Sequence, residues 1–352
     1  MTGYMGMYPV SWWTCEKGGG VKESDIIRAI HQRFPDRFDI TSIGIGDDCA
    51  VLNEPCPLVT TDASVEGVHF DFSFMTFADA AYRCLASNLS DIAAMGGRAV
   101  AWTLALGLGC GFLESDLQAG LDAMGACLLD HGLPDAWLVG GDVVRSPHVF
   151  MSVTMWGKCE TPDKTWTPLT RAGARPGDIL VLMGQAGYAA AGLELLQKYS
   201  SGLEDAHVRR VVDHFLRPVA LTRLGPALAC EGLVRAMMDT SDGLFADLPR
   251  LLERSGVGAE IDLDVLDRPD QPLDAAAAKT GRPSWYYRVY GGEDYGLLAA
   301  VPANALDRVE NLAYLHGVPM FRIGKVVPTH GIRWLKNGMP ENMADNSFCH
   351  FG

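Results

Sequence analysis

The sequence has 352 residues, of which 48% are hydrophobic and 20% are charged, so it can form a large core and favours two domains or one large domain. Its net charge is −14 and it has no basic tract, which argues against nucleic acid and anionic membranes as partners. The nine cysteines include no C-x-x-C pair, so reduced thiols in a cytoplasmic protein fit better than a disulfide framework or a zinc site.

The first half of the chain begins with residues 1–20, which we expect to form a disordered leader without the pattern of a signal peptide. Ser24 is predicted to cap a helix whose apolar side chains share one face. Strands are then predicted over 49–52 and 57–61, a helix over 77–95, a strand over 99–108, a helix over 113–131, and strands over 136–139 and 148–157. The segment 158–176 lacks periodicity and is rich in Pro, Thr, Lys and Arg, so we place the domain boundary there.

The second half has a similar mixture of elements. Strands are predicted over 178–182, 234–238, 258–262, 286–290, 296–301 and 320–327, and helices over 186–198, 205–214, 219–231, 244–254 and 303–315. Because strands and helices alternate irregularly, the fold class is predicted to be α+β or mixed α/β in two layers rather than a regular doubly wound sheet.

Six short segments of the chain each place aspartate beside glycine, serine or threonine. They are Gly44-Ile45-Gly46-Asp47-Asp48, Thr60-Thr61-Asp62, Asn88-Leu89-Ser90-Asp91, Gly140-Gly141-Asp142, Asp239-Thr240-Ser241-Asp242-Gly243 and Gly291-Gly292-Glu293-Asp294. Mg²⁺ prefers carboxylate oxygens together with waters and substrate phosphates. Small residues let the backbone approach a phosphate and offer it N–H groups. The repeated pattern therefore predicts a polyphosphate site that contains several metal ions.

Some of these segments also have a purely structural explanation. The glycines before Asp48 are typical of a solvated turn. Ser241 or Asp242 before a helix is typical of an N-cap, although a cap leaves Asp239 at the end of its apolar strand unexplained. His69 could bind phosphate and Arg171 could clamp it, but a satisfied histidine and a surface arginine are the more common situations.

Other segments favour a ligand more directly. Asp62 and Asp142 each follow an apolar strand, and the carboxyl end of a strand is a favoured ligand position in α/β proteins. Asp91 lies in an otherwise apolar helix, where a buried unpaired carboxylate is costly and a metal ion is a reasonable partner. The sequence contains no P-loop motif and no kinase-type catalytic loop, so the predicted site does not belong to those classes.

Taken in this order, the motifs resemble the thiamine-monophosphate kinases, a branch of the aminoimidazole-ribonucleotide-synthetase-like superfamily of ATP-dependent enzymes. The resemblance runs from about Glu23 to the end of the chain. Its most specific pieces are residues 44–50, 65–70, 88–96, 169–178 and 291–295. Departures are Gly296 in place of the usual glutamate, Val143-Val144 in place of threonines, and residues 217–221 in place of the usual Arg-Pro-x-Pro-Arg.

The resemblance implies roles for individual residues. It implies that several Mg²⁺ ions are held by Asp48, Thr60, Thr61, Asp62, Asp91, Asp142, Asp239 and Asp242, of which Asp91, Asp142, Asp239 and Asp242 would be catalytic. It implies that Gly141, Arg171 and Ser241 contact ATP, and that His69, Glu293 and Phe348 contact thiamine monophosphate. A monovalent cation is a further candidate cofactor.

The resemblance also implies an architecture and a reaction. A domain over 21–160 would bind ATP and metal, a domain over 161–352 would complete the substrate and nucleotide site, and the N-terminal sheets would join across a homodimer interface. The acceptor is a phosphate monoester, whose second pKa is about 6, so no general base is required and direct transfer of the ATP γ-phosphoryl group is expected. The alternatives are a related superfamily enzyme with a different acceptor and a non-catalytic paralogue that binds nucleotide.

Overall fold

The computed structural model describes residues 41–43, 48–52, 58–109, 112–158 and 167–345. The predicted leader, the helix predicted after Ser24 and the predicted substrate residue Phe348 lie outside the described residues. Within the described part of the chain, every helix is too short or too polar to span a bilayer.

The first half of the described chain forms a six-stranded sheet with two helices on one face. Its strands are β1 (Thr41–Ile43), β2 (Ala50–Leu52), β3 (Leu58–Val65), β4 (Arg98–Leu108), β5 (Trp137–Arg145) and β6 (Phe150–Lys158), in the order β1-β2-β3-β6-β4-β5. The β4–β5 pair is parallel and the other pairs are antiparallel. The helices are α1 (Phe77–Ala94) and α2 (Glu114–Asp130).

The second half forms a seven-stranded mixed sheet. Its strands are β7 (Ile179–Met183), β8 (Ala236–Thr240), β9 (Gly258–Asp262), β10 (Gly296–Val301), β11 (Met320–Val327), β12 (Gly331–Lys336) and β13 (Met339–Glu341), in the order β13-β12-β9-β11-β7-β10-β8. Its helices are α3 (Tyr188–Lys198), α4 (Ala206–Leu216), α5 (Leu224–Cys230), α6 (Leu244–Ser255), α7 (Leu263–Leu266), α8 (Gln271–Thr280), α9 (Ser284–Tyr290) and α10 (Leu306–Leu315). The predicted mixed α/β fold class is thus confirmed, whereas the predicted domain boundaries stay a prediction.

Three predicted elements differ from the structure. The strand predicted over 286–290 is wrong, because these residues belong to helix α9, which begins after Pro283 and buries Tyr287 and Val289. Aromatic and β-branched residues favour strands only weakly, and tertiary packing overrides that preference here. The helix predicted over 219–231 is confined to α5, and the strand predicted to end at residue 139 continues to Arg145.

Helix α1 connects the two halves and carries much of the site. Its N-terminus is fixed by a capping box in which Thr76 and Asp79 satisfy each other's backbone N–H groups. One side of α1 packs on β3, β6 and α2, and another side contacts β8, α4 and α5. Side chains that leave α1 therefore reach the ends of strands from both sheets.

Candidate active site

Four polar residues of α1 share one face of the helix. They are Arg83 and the residues four, seven and eight positions after it, Ser87, Ser90 and Asp91. This is the spacing of side chains on a single helical face. Ser90 Oγ donates a hydrogen bond to Asp239 Oδ2 at 2.8 Å, and Asp91 Oδ2 accepts one from Thr60 Oγ1 at 2.5 Å. Helix α1 thus joins β8 of one sheet to β3 of the other through buried polar contacts.

Three carboxylates converge beside this face. Asp48 comes just before β2, Asp91 lies in α1 and Asp239 lies in β8, yet one oxygen from each lies within 4.8 Å of the others. Asp239 is only 3% exposed, whereas Asp91 is partly exposed. We refer to these three residues as the carboxylate cluster.

The three carboxylates of the cluster lie close together, which disfavours their charged forms unless a cation lies beside them. Burial raises the pKa of Asp91 well above its usual value, and the neighbouring charges of Asp62, Asp239 and Asp48 raise it further. Burial likewise raises the pKa of Asp239, with Asp48 adding to the effect. Arg171, whose guanidinium bonds Asp48, opposes the burial that raises the pKa of Asp48. The cluster has three carboxylates, and Arg171 beside it supplies one positive charge. Its hard oxygen donors therefore fit a divalent metal ion.

Strand β3 supplies further predicted residues, but not all from one face. Burial raises the pKa of Asp62, whereas a hydrogen bond from Ser87 and the charge of His69 lower it by a smaller amount. Side chains alternate along a strand, so Thr60 and Asp62 lie on the cluster side and Thr61 lies on the other. Thr61 Oγ1 donates to the carbonyl of Val153 at 3.0 Å. The Thr61 side chain is thus bonded to β6 on the side away from the cluster, and its predicted metal role stays a prediction.

Gly141 and Asp142 lie within edge strand β5 rather than after its end. A Cβ on Gly141 would come within 2.0 Å of the Leu104 carbonyl oxygen, so only glycine permits this approach of β5 to β4. Asp142 is exposed, and its Oδ1 accepts a hydrogen bond from the Val143 N–H at 2.9 Å. Asp142 is not a member of the carboxylate cluster, so its predicted metal and catalytic roles stay a prediction.

The turn between β8 and α6 contains Ser241 and Asp242. The N-cap of α6 is Gly243, so the N-cap explanation for Ser241 and Asp242 is wrong. Asp242 Oδ2 pairs with Arg250 at 2.6 Å, and the Asp242 N–H donates to Asp247 Oδ2 at 3.1 Å. Burial and the charge of Asp242 raise the pKa of Asp247 to about 7, although Arg250 opposes the shift. The turn is therefore held from within α6 by Asp247 and Arg250.

The residues predicted to contact the phosphoryl acceptor, His69 and Glu293, lie on two other segments. His69 Nδ1 accepts a hydrogen bond from the Val65 N–H at 3.1 Å. Glu293 has a left-handed backbone with φ of 65°, and its N–H donates to the Ser241 carbonyl at 2.7 Å. Glu293 therefore lies directly beside the turn that contains Ser241.

Six residues that contact the site or hold its segments in place were not among the predicted site residues. They are Arg83, Ser87, Ser90, Asp247, Arg250 and Asp294. Asp294 has a structural role, because its carboxylate accepts hydrogen bonds from the N–H groups of Gly187 at 2.5 Å and Ala189 at 2.8 Å at the start of α3. The spacing of polar residues on α1 could have identified Arg83, Ser87 and Ser90, whereas no sequence signal distinguishes Asp247 from an ordinary helix aspartate.

Comparisons with known proteins show the family to which this chain belongs. A family model described as AIR synthase related protein, N-terminal domain, matches residues 46–159, and one described as AIR synthase related protein, C-terminal domain, matches residues 175–335. The thiamine-monophosphate kinase of Salmonella typhimurium is 35% identical over 326 residues, covering 90% of this chain and 93% of that protein. The Haemophilus influenzae enzyme of the same name is 32% identical, covering 94% of this chain and 98% of that protein.

Solved structures give the same result. AaThiL complexed with AMPPCP and TMP superposes with a TM-score of 0.79 at 27% identity, covering 94% of this chain and 97% of that chain. Thiamine-monophosphate kinase from Stenotrophomonas maltophilia K279a superposes with a TM-score of 0.71 at 33% identity, covering 90% of this chain and 96% of that chain. Sequence and structure therefore relate this chain to the same enzymes.

Proposed function

Since this chain belongs to the thiamine-monophosphate kinases of the AIR synthase-related family, we propose that it transfers the γ-phosphoryl group of ATP directly to thiamine monophosphate, giving thiamine diphosphate and ADP. The observation that carries the proposal is the convergence of Asp48, Asp91 and Asp239 from three separate segments. Such a cluster suits a reaction between two phosphate groups better than one that needs a nucleophilic side chain.

The chemistry requires positioning rather than proton transfer. The acceptor phosphate is already largely ionised at neutral pH, since its second pKa is about 6, so the main obstacle is repulsion between two anions. Mg²⁺, when bound, would neutralise the phosphates and hold the transferring group in line. The carboxylate cluster, with Asp62, Thr60 and Asp242, supplies oxygen ligands for it.

The remaining residues divide between the two substrates. Arg171 lies beside the cluster through its bond to Asp48 and would offer a positive charge to ATP. Ser241, in the β8–α6 turn, would offer ATP a neutral hydroxyl group as a hydrogen-bond donor. His69 and Glu293 would contact thiamine monophosphate. Because the Glu293 N–H donates to the Ser241 carbonyl, the segments proposed to contact the two substrates lie directly beside each other.

The proposed function is tested by product analysis with several acceptors. Purified protein is incubated with ATP and Mg²⁺ plus thiamine monophosphate, thiamine or no acceptor, and thiamine diphosphate and ADP are both quantified. We expect one ADP per thiamine diphosphate with thiamine monophosphate, and no thiamine diphosphate with thiamine. ADP without thiamine diphosphate would favour a related enzyme with another acceptor. ATP binding without ADP would favour a non-catalytic paralogue.

A homodimer is supported by the edge of the N-terminal sheet. Strand β5 lies at that edge and exposes Leu138, Val143 and Val144, with Val143 67% exposed. The nine-residue strand contains Asp142 and Arg145 but no proline or lysine, and a long edge strand with exposed apolar side chains is a template for pairing with another chain. These features support a dimer in which the two N-terminal sheets join at β5.

We predict that Val143→Lys weakens the dimer at least about tenfold, because a lysine charge at a sheet edge that the dimer would bury opposes strand pairing. The measurement is sedimentation velocity over a range of protein concentrations. Tyr314→Lys is the matched control, since Tyr314 is 82% exposed on α10 and should leave association unchanged. A wild-type protein that stays monomeric at every concentration would contradict the proposed interface.

A further inference from the structure

Arg83 is a buried arginine that joins three segments. It lies on α1 and is only 4% exposed. Its Nη2 lies 2.8 Å from Glu293 Oε1, its Nη1 donates to the carbonyl of Phe215, and its guanidinium carbon lies 3.9 Å from the centre of the Phe215 ring. Arg83 therefore connects α1 to the C-terminal end of α4 and to the turn 291–295.

The charge of Arg83 makes this contact specific. A buried guanidinium is costly unless a carboxylate and further hydrogen-bond acceptors surround it, and Glu293 supplies the carboxylate. The Glu293 side chain is 34% exposed, so it remains open to a ligand while Arg83 holds one of its oxygens. A planar guanidinium can bond a carboxylate, bond a carbonyl and stack on a ring at once, which a lysine ammonium cannot do.

The backbone of Glu293 is held as firmly as its side chain. A φ of 65° is uncommon for glutamate, and the N–H bond to the Ser241 carbonyl accompanies it. A Cβ on Gly292 would come within 2.4 Å of the same carbonyl oxygen, so the turn 291–295 lies directly against the turn after β8. The orientation of the Glu293 carboxylate thus depends on Arg83 at one end and on Ser241 at the other.

We propose that Arg83 is a positioning residue that fixes the Glu293 carboxylate for the thiamine moiety of the acceptor. This inference rests on the proposed function, in which Glu293 contacts thiamine monophosphate. A fixed carboxylate suits thiamine, which carries a cationic ring and an amino group. Arg83 lies on the same helix as Ser90 and Asp91, so one helix contains both the proposed positioning residue and a member of the carboxylate cluster.

The test is a kinetic comparison of Arg83→Lys with wild type. We expect the KM for thiamine monophosphate to rise about 10- to 100-fold, since small misplacements of a positioning group have effects of this size, and the KM for ATP to stay within about twofold. A general loss of folding would not separate the two substrates in this way. The double variant Arg83→Lys with Glu293→Gln should be no weaker than Glu293→Gln alone, because both changes remove the same contact.

Two further variants keep the test decisive. Phe215→Leu removes the ring beneath the guanidinium without changing Arg83 or Glu293, and should raise the KM for thiamine monophosphate alone, in the same direction as Arg83→Lys. Arg235→Lys is the control, because Arg235 pairs with Asp178 at 3.1 Å in a different contact and should leave both KM values unchanged.

The outcomes distinguish this inference from the proposed function. Wild-type protein that forms no thiamine diphosphate would overturn the proposed function and the inference together. Wild-type protein that forms it, with an unchanged KM for thiamine monophosphate in both Arg83→Lys and Phe215→Leu, would overturn the inference alone. Additive losses in the double variant would also overturn it, since Arg83 would then act independently of Glu293.

Discussion

Asp91→Asn is expected to lower kcat by roughly 10²- to 10³-fold or more while raising the midpoint of thermal unfolding of the metal-free protein. The loss of activity follows because Asp91 belongs to the carboxylate cluster, which we propose holds the metal beside the reacting phosphates. The gain in stability follows because the substitution removes one of several mutually repelling buried charges. Asparagine has nearly the same shape, and its amide oxygen can still accept the hydrogen bond from Thr60.

The stability effect should depend on pH in a defined direction. The pKa of Asp91 is raised in the folded state above its unfolded value of about 3.9, so the folded protein binds more protons than the unfolded chain between those two values. The contribution of Asp91 to stability is therefore present at low pH and is lost as the pH rises through the folded pKa. Asp91→Asn should stabilise the metal-free protein most at pH 8 and little near pH 4.

Differential scanning calorimetry with and without Mg²⁺ measures this effect. Mg²⁺ should stabilise wild type more than Asp91→Asn, because the variant offers one charge fewer to the ion. Asp116→Asn is the matched control, since Asp116 is exposed in the first turn of α2 and should change neither activity nor metal response. A destabilised Asp91→Asn protein at pH 8, or one with more than a tenth of wild-type kcat, would contradict the assignment of the cluster.

Gly225→Ala is expected to destabilise the protein by about 1–3 kcal/mol, although alanine normally favours a helix over glycine. Gly225 is buried in α5, and a Cβ there would come within 2.1 Å of the Ala93 carbonyl oxygen on α1. That neighbour is backbone, so no side chain can rotate away, and the two helices must separate. Because Asp91 lies two residues before Ala93, kcat should fall as well.

A second glycine gives a matched control of opposite sign. Gly125 lies exposed in α2, and a Cβ there would have nothing within 4 Å beyond its chain neighbours and the nearby backbone of its own helix. Gly125→Ala should therefore stabilise the protein by about 0.5–1 kcal/mol through helix propensity alone. Urea unfolding of both variants measures the difference. Equal effects of the two substitutions would show that the close contact between α1 and α5 does not exist in solution.

Much of the fold was predictable because the relevant signals are local. The apolar run after Asp178 predicts β7, and the apolar strand before Asp239 predicts β8 and the turn that follows it. The hydrophobic pattern gives the wrong element where tertiary packing determines the secondary structure. In α9, aromatic and β-branched residues predict a strand from the sequence alone but form a helix in the folded protein. Short elements such as α7 and β13 are also missed, because a few residues give too little periodicity.

The site was predictable in its residue types but not in its arrangement. Asp91 and Asp239 are each part of a motif that is recognisable in the sequence, and the structure brings them together with Asp48. The side-chain direction of Thr61 and the position of Asp142 within β5 depend on strand limits, which sequence patterns locate only within a few residues. Contacts such as that of Arg83 with Glu293 join residues far apart in the chain, so no local pattern indicates them.

The metal dependence of the carboxylate cluster is measured by the formation of thiamine diphosphate by wild type and Asp91→Asn as the Mg²⁺ concentration is varied, at fixed ATP and thiamine monophosphate. We predict that wild type forms thiamine diphosphate only when Mg²⁺ is present, and that Asp91→Asn remains folded yet forms at least about 10²-fold less at every Mg²⁺ concentration. Thiamine diphosphate formation that persists in the presence of a metal chelator, or that is unchanged in Asp91→Asn, would show that the carboxylate cluster is not the metal-dependent centre of phosphoryl transfer.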